Sequence, residues 1–177
     1  MDHTEERFAV VNIHDIPIRY VTGKEALHNT AKDEYHRGVH VFVEVNGGRF
    51  LLQRKAKGTE NEGKWSSSVS GHVRAGESYR SAAIRESMEE LGLDVKRQDL
   101  DEVATIAPCV ETSNEFVTLF TYLMDDNEEQ IKINKDEVTE VIICRLDDVV
   151  NNVDDNKDAY SPAFIVLLNI FLELYKV

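Results

Sequence analysis

The sequence predicts an α/β fold in a single domain spanning residues 1–177. Short runs rich in β-branched and aromatic residues occur on both sides of a central helical segment, and a second helical segment closes the chain. We find no internal repeat and no interdomain linker. At 177 residues the chain is long enough to enclose one substantial core.

Eight segments have the composition and the bounding turn residues of strands. They are residues 8–12, 16–22, 39–45, 49–54, 65–70, 102–107, 116–124 and 138–144. The first two are predicted to form an opening hairpin or edge strands, and the third and fourth flank Asn46-Gly47-Gly48, a strong hairpin signal. Residues 24–37 are predicted to form a helix or a loop, and residues 57–64 a loop.

The last helix is predicted to begin at Pro162 and to run to about Tyr175. It is rich in apolar residues, which raises the alternative of a membrane anchor. The segment is shorter than the roughly 20 apolar residues that a membrane span requires, so we expect it to pack on the sheet. Part of it could contact a partner subunit in a homodimer. The acidic segments 125–130 and 147–158 are predicted to be solvated loops or a short helix.

The composition excludes some classes of function. The formal net charge of -13 argues against a nucleic-acid-binding surface, because a polyanion would be repelled. The opening MDHTEERFAV lacks the pattern of a signal peptide, so we expect a cytoplasmic protein without membrane contacts. Cys109 and Cys144 form no CxxC pair and are expected to be reduced thiols.

Three glutamates suggest a metal-binding face on the central helix. Glu86, Glu89 and Glu90 fall in one sector at about 100° per residue. The opposite sector contains Ile84, Ser87, Met88 and Leu91. We therefore expect the helix to bury that side and to expose the carboxylates, which suit a hard divalent cation that also holds a phosphate.

The segment from Gly71 to Leu93 resembles the Nudix box, G-x5-E-x7-R-E-U-x-E-E-x-G-U, in which U is a bulky aliphatic residue. The matching positions are Gly71, Glu77, Arg85, Glu86, Glu89, Glu90, Gly92 and Leu93. Ser87 stands where the family has an aliphatic residue, which puts local packing in question more than metal binding. The resemblance implies a Nudix-type α/β/α sandwich, with a mixed sheet between helices and with the metal on the loop-helix-loop of the box.

The resemblance also implies a reaction on a small-molecule diphosphate substrate. Water attacks one phosphorus with the help of Mg2+ or Mn2+. The implied metal ligands are Glu86, Glu89, Glu90 and the carbonyl of Gly71. Arg85 is implied to hold carboxylates such as Glu77 in a fixed orientation and is counted with the catalytic residues.

The resemblance leaves several candidates for the general base and for the substrate contacts. Glu90, Glu115 and Glu137 are the candidate bases in falling order, and Glu115 could instead be a metal ligand or an ordinary strand residue. Arg54, at the end of LLQR, is implied to meet phosphate, although it could equally be a surface arginine. Glu137 is also placed near the substrate.

The flanking sequence resembles the Nudix subgroup that is related to isopentenyl-diphosphate isomerase. His36 and His72 match two metal-binding histidines of that enzyme, and His28 could match a third; they could also donate hydrogen bonds to substrate. Ser70 and Ser113 stand where the isomerase has its proton-transferring cysteine and a second glutamate. We therefore expect hydrolysis rather than isomerisation.

The substrate and one further alternative stay open at this stage. Pro108, fifteen residues beyond Leu93, resembles a feature of ADP-ribose-type pyrophosphatases, while the isomerase-like flanks keep an isoprenoid diphosphate possible. A non-catalytic sensor of a nucleotide or metabolite is the alternative from another class. The complete set of box glutamates favours the enzyme, and Glu90→Gln, taken as an exposed change, is expected to remove activity and to keep the fold.

Overall fold

The computed structural model describes residues 6–24, 27, 30–125 and 128–175. His28, the third histidine of the isomerase comparison, lies outside the described residues, as do residues 126 and 127 of the first acidic segment. The strands are β1 Arg7–Val11, β2 Pro17–Thr22, β3 His36–Val45, β4 Arg49–Lys55, β5 Trp65–Ser66, β6 Val69–His72, β7 Leu100–Ile106, β8 Glu115–Met124 and β9 Val138–Arg145. The helices are α1 Tyr79–Leu91, α2 Leu146–Asp155 and α3 Pro162–Tyr175.

The strands form a separate β1–β2 hairpin and one mixed sheet, which confirms the predicted α/β class. The main path through the sheet is β5-β4-β3-β8-β7, with β6 also paired to β3 and β9 to β4. The pairing of β3 with β8 is parallel, and the pairings of β3 with β4 and β6 are antiparallel. Because β4 and β6 pair with different ends of β3, the sheet opens between them.

Alternating side chains of β3 supply two cores on opposite faces of the sheet. Val39, Val41, Val43 and Val45 pack in the core that includes Ala82, Ala83 and Leu91 of α1. Phe42 points to the other face and packs with residues of α2 and α3. Helices therefore cover both faces, as the resemblance implied.

The final helix packs on the sheet as predicted. Phe164 and Phe171 lie with their ring centroids 5.7 and 5.6 Å from that of Phe42, and Phe50 also contacts Phe171. Within the described part of the chain, no helix is long and apolar enough to cross a membrane. The second acidic segment forms α2, which buries Val149 and Val153 and turns its acidic residues outward.

Three element predictions differ from the structure. The predicted strand 65–70 is two short strands, β5 and β6, which pair with different partners. Residues 36 and 37 belong to β3 rather than to a helix or loop. The strand predicted at 102–107 is β7 and begins earlier, at Leu100. The shifted boundaries follow from sheet pairing, which local composition does not specify.

Helix α1 begins and ends as its sequence indicates, but its buried face was predicted correctly only in part: Ser87 and Leu91 are buried, as expected. Ser78 caps the N-terminus by accepting a hydrogen bond from the Ser81 amide, and Gly92 ends the helix in the left-handed region with φ 67°. Glu86 and Glu90 are buried, whereas Met88 is exposed. The helix packs against β6, where Gly71 has no side chain, so the glutamate face is turned toward the protein.

The contact of α3 with the sheet gives a test of the second core. Phe164 is 1% exposed, so Phe164→Ala is expected to lower the free energy of unfolding by about 3–5 kcal/mol because it leaves a cavity among Phe42 and Tyr160. Leu174→Ala, on the exposed side of the same helix, should change it by less than about 0.5 kcal/mol. Urea unfolding of both variants measures the difference, and equal effects would contradict this packing.

Candidate active site

A cavity of about 640 Å³ opens where β4 and β6 separate. Its walls come from β6, from α1, from residues 57–61, from residues 111–113 and from the segment that precedes β9. Ser161 and Ala163, at the start of α3, form another part of the wall. The cavity thus collects side chains from most of the elements around the gap in the sheet.

Two histidines and one carboxylate meet at one side of this cavity. In the sheet, His36 is paired with Glu115 and Gly38 with His72, which brings the three side chains to one face. His36 Nδ1 and His72 Nε2 lie 2.7 and 3.0 Å from the same oxygen, Glu115 Oε1. One nitrogen or oxygen of each residue lies within 4.8 Å of the others, which is a spacing that could hold a metal ion.

In this cluster, Glu115 and His72 each favour the charged form of the other. Burial opposes ionisation of Glu115, but His72 and His36 outweigh it and hold the pKa of this carboxyl well below its usual range. Burial also acts to lower the pKa of His72, and the carboxylate of Glu115 raises it above its ordinary value. A Cβ at Gly38 would lie 2.5 Å from Glu115 Oε2, so a larger residue would displace this carboxylate.

The first and second predicted metal ligands, Glu86 and Glu89, both line the cavity. Glu86 lies directly against Gly71, where an added Cβ would come within 2.2 Å of its carboxyl carbon. Burial and the charge of Glu90 raise the pKa of Glu86 to about 7, although Arg85 opposes this shift. A concentrated negative charge of this kind favours the binding of a cation.

Arg85 holds the carboxylates of the box in place. Its guanidinium donates to both oxygens of Glu77 at 2.8 and 2.9 Å, to Glu86 at 2.6 Å and to Glu89 at 2.9 Å. A further hydrogen bond of 2.9 Å reaches the carbonyl of His72. Burial opposes the charge of Arg85, but these carboxylates keep its pKa above the ordinary value. Arg85 is not among the described residues that line the cavity. It therefore lies on the side of Glu86 and Glu89 that faces away from the cavity.

Glu90 was predicted to be exposed, but its side chain is fully buried. Its Oε1 accepts from Lys55 Nζ at 3.1 Å, and its Oε2 accepts from the Ser70 amide at 2.9 Å and from Gln53 Nε2 at 3.0 Å. Burial raises the pKa of Glu90, and Lys55 opposes the shift. Both oxygens are therefore engaged by donors of the protein itself.

The side chain of Ser70 lies in the same hydrogen-bond network. Its Oγ is 3.2 Å from Lys55 Nζ and 3.4 Å from Gln53 Nε2. Both neighbours act as donors here, because an ammonium has no acceptor and the amide nitrogen of Gln53 also bonds to Glu90. The Ser70 hydroxyl therefore accepts hydrogen bonds from both and keeps its own hydrogen for a partner in the cavity, which it lines.

Of the predicted substrate contacts, His72 and Glu137 line the cavity, whereas Arg54 does not lie among its described lining residues. Arg54 donates to the Gly63 carbonyl at 2.9 Å and stacks over the ring of Trp65. Successive strand residues point to opposite faces, so Arg54 points away while its neighbour Lys55 faces the cavity. The predicted contact of Arg54 with a phosphate therefore has no support in this geometry and stays a prediction.

Sequence reasoning treats His40 as an ordinary surface or core residue, whereas in the structure it lines the cavity. His40 Nδ1 lies 2.7 Å from Ser67 Oγ, and burial lowers the pKa of His40 to about 4. The signal available in the sequence was strand alternation, since His36, Gly38 and His40 share one face of β3. Lys24 and Lys57 line the cavity too, and no sequence pattern singled them out.

Similar proteins were found by comparison with families and with solved structures. Residues 34–164 match the NUDIX domain family. Isopentenyl-diphosphate Delta-isomerase 2 of Photorhabdus laumondii is 32% identical over 93% of this chain and 92% of that protein. Isopentenyl-diphosphate Delta-isomerase of Escherichia coli K12 is 29% identical over 91% and 88%.

A solved structure has the same fold at lower identity. A crystal structure of a Deinococcus radiodurans protein superposes with a TM-score of 0.77 over 93% of this chain and 98% of that chain, at 19% identity. The match to the family covers most of the chain and includes the box, the cavity and all three residues of the histidine–glutamate cluster. The chain therefore belongs to the NUDIX domain family.

Proposed function

We propose that the protein hydrolyses the phosphoanhydride bond of a small diphosphate with the help of divalent cations. The observation that carries this proposal is the position of Glu86 and Glu89, which line a cavity beside the histidine–glutamate cluster and are held there by Arg85. Carboxylates fixed by a guanidinium around an accessible cavity are suited to hold Mg2+ against phosphate oxygens.

The donors present fit a divalent cation. Gly71 leaves room for the Glu86 carboxylate where any side chain would clash, so the backbone carbonyl and this carboxylate can approach one ion together. Glu86, Glu89 and the Gly71 carbonyl would hold Mg2+ or Mn2+ with hard oxygen atoms. A second ion could be held by His36, His72 and Glu115. Such ions supply neutralisation of phosphate charge and a lowered pKa of the attacking water.

The protein's own residues have separate roles in this reaction. The oxygen of water forms a bond to phosphorus, the bridging P–O bond breaks, and the bridging oxygen leaves with its electron pair. The proton of the water passes to a general base. Glu115 and Glu137 line the cavity, whereas Glu90 is not among its described lining residues; since Glu115 is assigned to the second ion, we propose Glu137 as the base.

Isomerisation is the second candidate, because similar proteins carry the name isopentenyl-diphosphate Delta-isomerase. That reaction needs a group that exchanges a proton with carbon. Ser70 stands in the position implied for this group, but its oxygen already accepts from Lys55 and Gln53. A hydroxyl held as a donor by a cation cannot take a proton from carbon, so the arrangement favours hydrolysis.

The decisive test uses the purified protein with Mg2+ or Mn2+ and a panel of diphosphates that includes isopentenyl diphosphate. We expect phosphate release that disappears with chelator, and no isomerised product.

Glu86→Gln should lower the rate at least about a hundredfold and weaken metal binding, because a neutral amide holds a cation poorly. Glu173→Gln, an exposed change on α3, is the control. Isomer formation in the absence of phosphate release would overturn the proposal, and saturable binding in the absence of any product would indicate a sensor.

Glu90 is less suitable as a catalytic test, because its loss is expected to destabilise the fold. Glu90→Gln leaves the ammonium of Lys55 without its buried counter-charge, which should lower the free energy of unfolding by about 3–5 kcal/mol. Lys55→Met should have a similar cost, and the double variant should lose much less than the sum of the two. Urea unfolding measures this cycle; strictly additive effects would show that the two groups do not form a buried ion pair.

A further inference from the structure

One of the three glutamates that α1 directs toward the sheet is separated from the cavity by a lysine. Glu86 and Glu89 line the cavity, whereas Glu90 is not among its described lining residues. The side chain of Lys55 contacts Glu90 and also lines the cavity, so it lies between this carboxylate and a ligand bound there. The cavity thus meets two carboxylates of the helix and, in place of the third, an ammonium group.

The surroundings of Glu90 do not fit a metal ion. Its Oε1 accepts from the Lys55 ammonium at 3.1 Å, and its Oε2 accepts from the Gln53 side chain at 3.0 Å and from the Ser70 amide at 2.9 Å. A cation at Oε1 would lie next to the ammonium of Lys55, which would repel it. The resemblance implied Glu90 as a metal ligand, and the groups around it disagree with that role.

The position of the ammonium is fixed by the strand that carries it. Gln53 and Lys55 are alternate residues of β4, so both side chains point to one face and reach Glu90 together. The backbone of Lys55 donates to the Lys64 carbonyl and accepts from the Gly63 amide, each at 3.0 Å. Its side chain is only 12% exposed. The positive charge is therefore held at one place in the cavity wall.

The ammonium of Lys55 has a donor for a bound ligand as well. An ammonium has three N–H donors and no acceptor. Within the described part of the chain, Glu90 Oε1 accepts at 3.1 Å and Ser70 Oγ at 3.2 Å. Because the side chain lines the cavity, the third N–H can be donated to an oxygen atom of a ligand there. A compact ammonium charge suits a phosphate oxygen.

Building on the proposed hydrolase function, we propose that Lys55 takes the place of a divalent cation at Glu90 and binds a phosphate of the substrate directly. The ammonium lies between the carboxylate on one side and the phosphate on the other, as a metal ion between two anions would. An ammonium cannot lower the pKa of a bound water as a metal ion does, so its role is to bind phosphate. Activation of water remains with the cations held by the other ligands of the site.

Removal of Lys55 should create an ion site. Lys55→Ala leaves the Glu90 carboxylate without its counter-charge and opens space toward the cavity, so a divalent cation can take the position of the ammonium. We expect this variant to bind one more Mn2+ per chain than the unaltered protein, measured by equilibrium dialysis with the EPR signal of free Mn2+. Lys55→Ala/Glu90→Gln should show no such gain. Lys64→Ala, with the same change of charge but outside the described cavity wall, is the matched control.

Thermal unfolding gives a second readout of the same ion. With chelator present, Lys55→Ala should have a lower Tm than the unaltered protein. Added Mn2+ should raise the Tm of this variant by more than it raises that of the unaltered protein, because an additional ion binds the folded state. A lysine with only a structural role would lower Tm and leave the response to Mn2+ unchanged. The same number of ions and the same response in Lys55→Ala would overturn the replacement of a cation.

The contact with phosphate is tested in a variant that keeps the net charge. Lys55→Met/Glu90→Gln removes one positive and one negative charge together and is expected to fold, since neither group is left without its partner. Calorimetry with Mg2+ and methylenediphosphonate, whose P–C–P bridge is not hydrolysed, should show binding weakened by about tenfold or more, as the loss of a hydrogen bond to a charged group does. Equal affinity of this variant and the unaltered protein would overturn the phosphate contact.

Failure of this inference can be told apart from failure of the hydrolase. An unaltered protein that binds no Mn2+ and releases no phosphate would overturn the hydrolase, and a Mn2+ site gained in Lys55→Ala would still support the replacement of a cation. An unaltered protein that hydrolyses diphosphates, together with Lys55 variants that neither gain an ion nor bind methylenediphosphonate more weakly, would overturn the role of Lys55 and leave the hydrolase standing.

Discussion

The hydrogen bonds of Arg85 are the constraint on which the candidate site depends. One guanidinium joins Glu77 in the loop, Glu86 and Glu89 on α1 and the carbonyl of His72 on β6. Without it, three carboxylates would repel one another in a chain that already carries a net charge of -13. The same bonds fix the helix against the strand that supplies His72. Arg85 therefore sets the position of the glutamates and of the strand together.

The divided pairing of β3 provides the space for this arrangement. β4 pairs with one end of β3 and β6 with the other, so the sheet separates where the cavity lies. Parallel pairing with β8 then brings Glu115 beside His36. Because these contacts join residues far apart in the chain, the cluster forms only when the whole sheet is assembled. Binding groups on three rigid strands are also held more precisely than groups on loops would be.

Charged side chains in the interior of this protein are paired with groups of opposite charge. Glu90 and Lys55 are buried together, and Glu115 is held between two imidazoles. Buried charges of this kind contribute little net stability, since their desolvation offsets their attraction. Their effect is instead to fix the direction of nearby hydrogen bonds. Lys55 and Gln53 both donate to the Ser70 oxygen, so the Ser70 hydroxyl acts as a donor toward the cavity. Under the proposed function, the buried lysine and the carboxylates around a cation would together let an acidic protein accept a phosphorylated ligand.

The sequence by itself determined the class of fold, most strands, the limits of α1 and α3 and the identity of the box, because these depend on local periodicity, capping residues and fixed spacing. It placed Ser87 and Leu91 on the buried side of α1 correctly but assigned Glu90 and Met88 to the wrong environments, because the packing of the helix against β6 is not a local property. It did not single out Lys55, which lines the cavity, since the direction of a strand side chain depends on the pairing of the sheet. The convergence of His36, His72 and Glu115, the donor role of Ser70 and the set of side chains around the cavity were decided by tertiary structure, because each depends on contacts between segments that are distant in the chain.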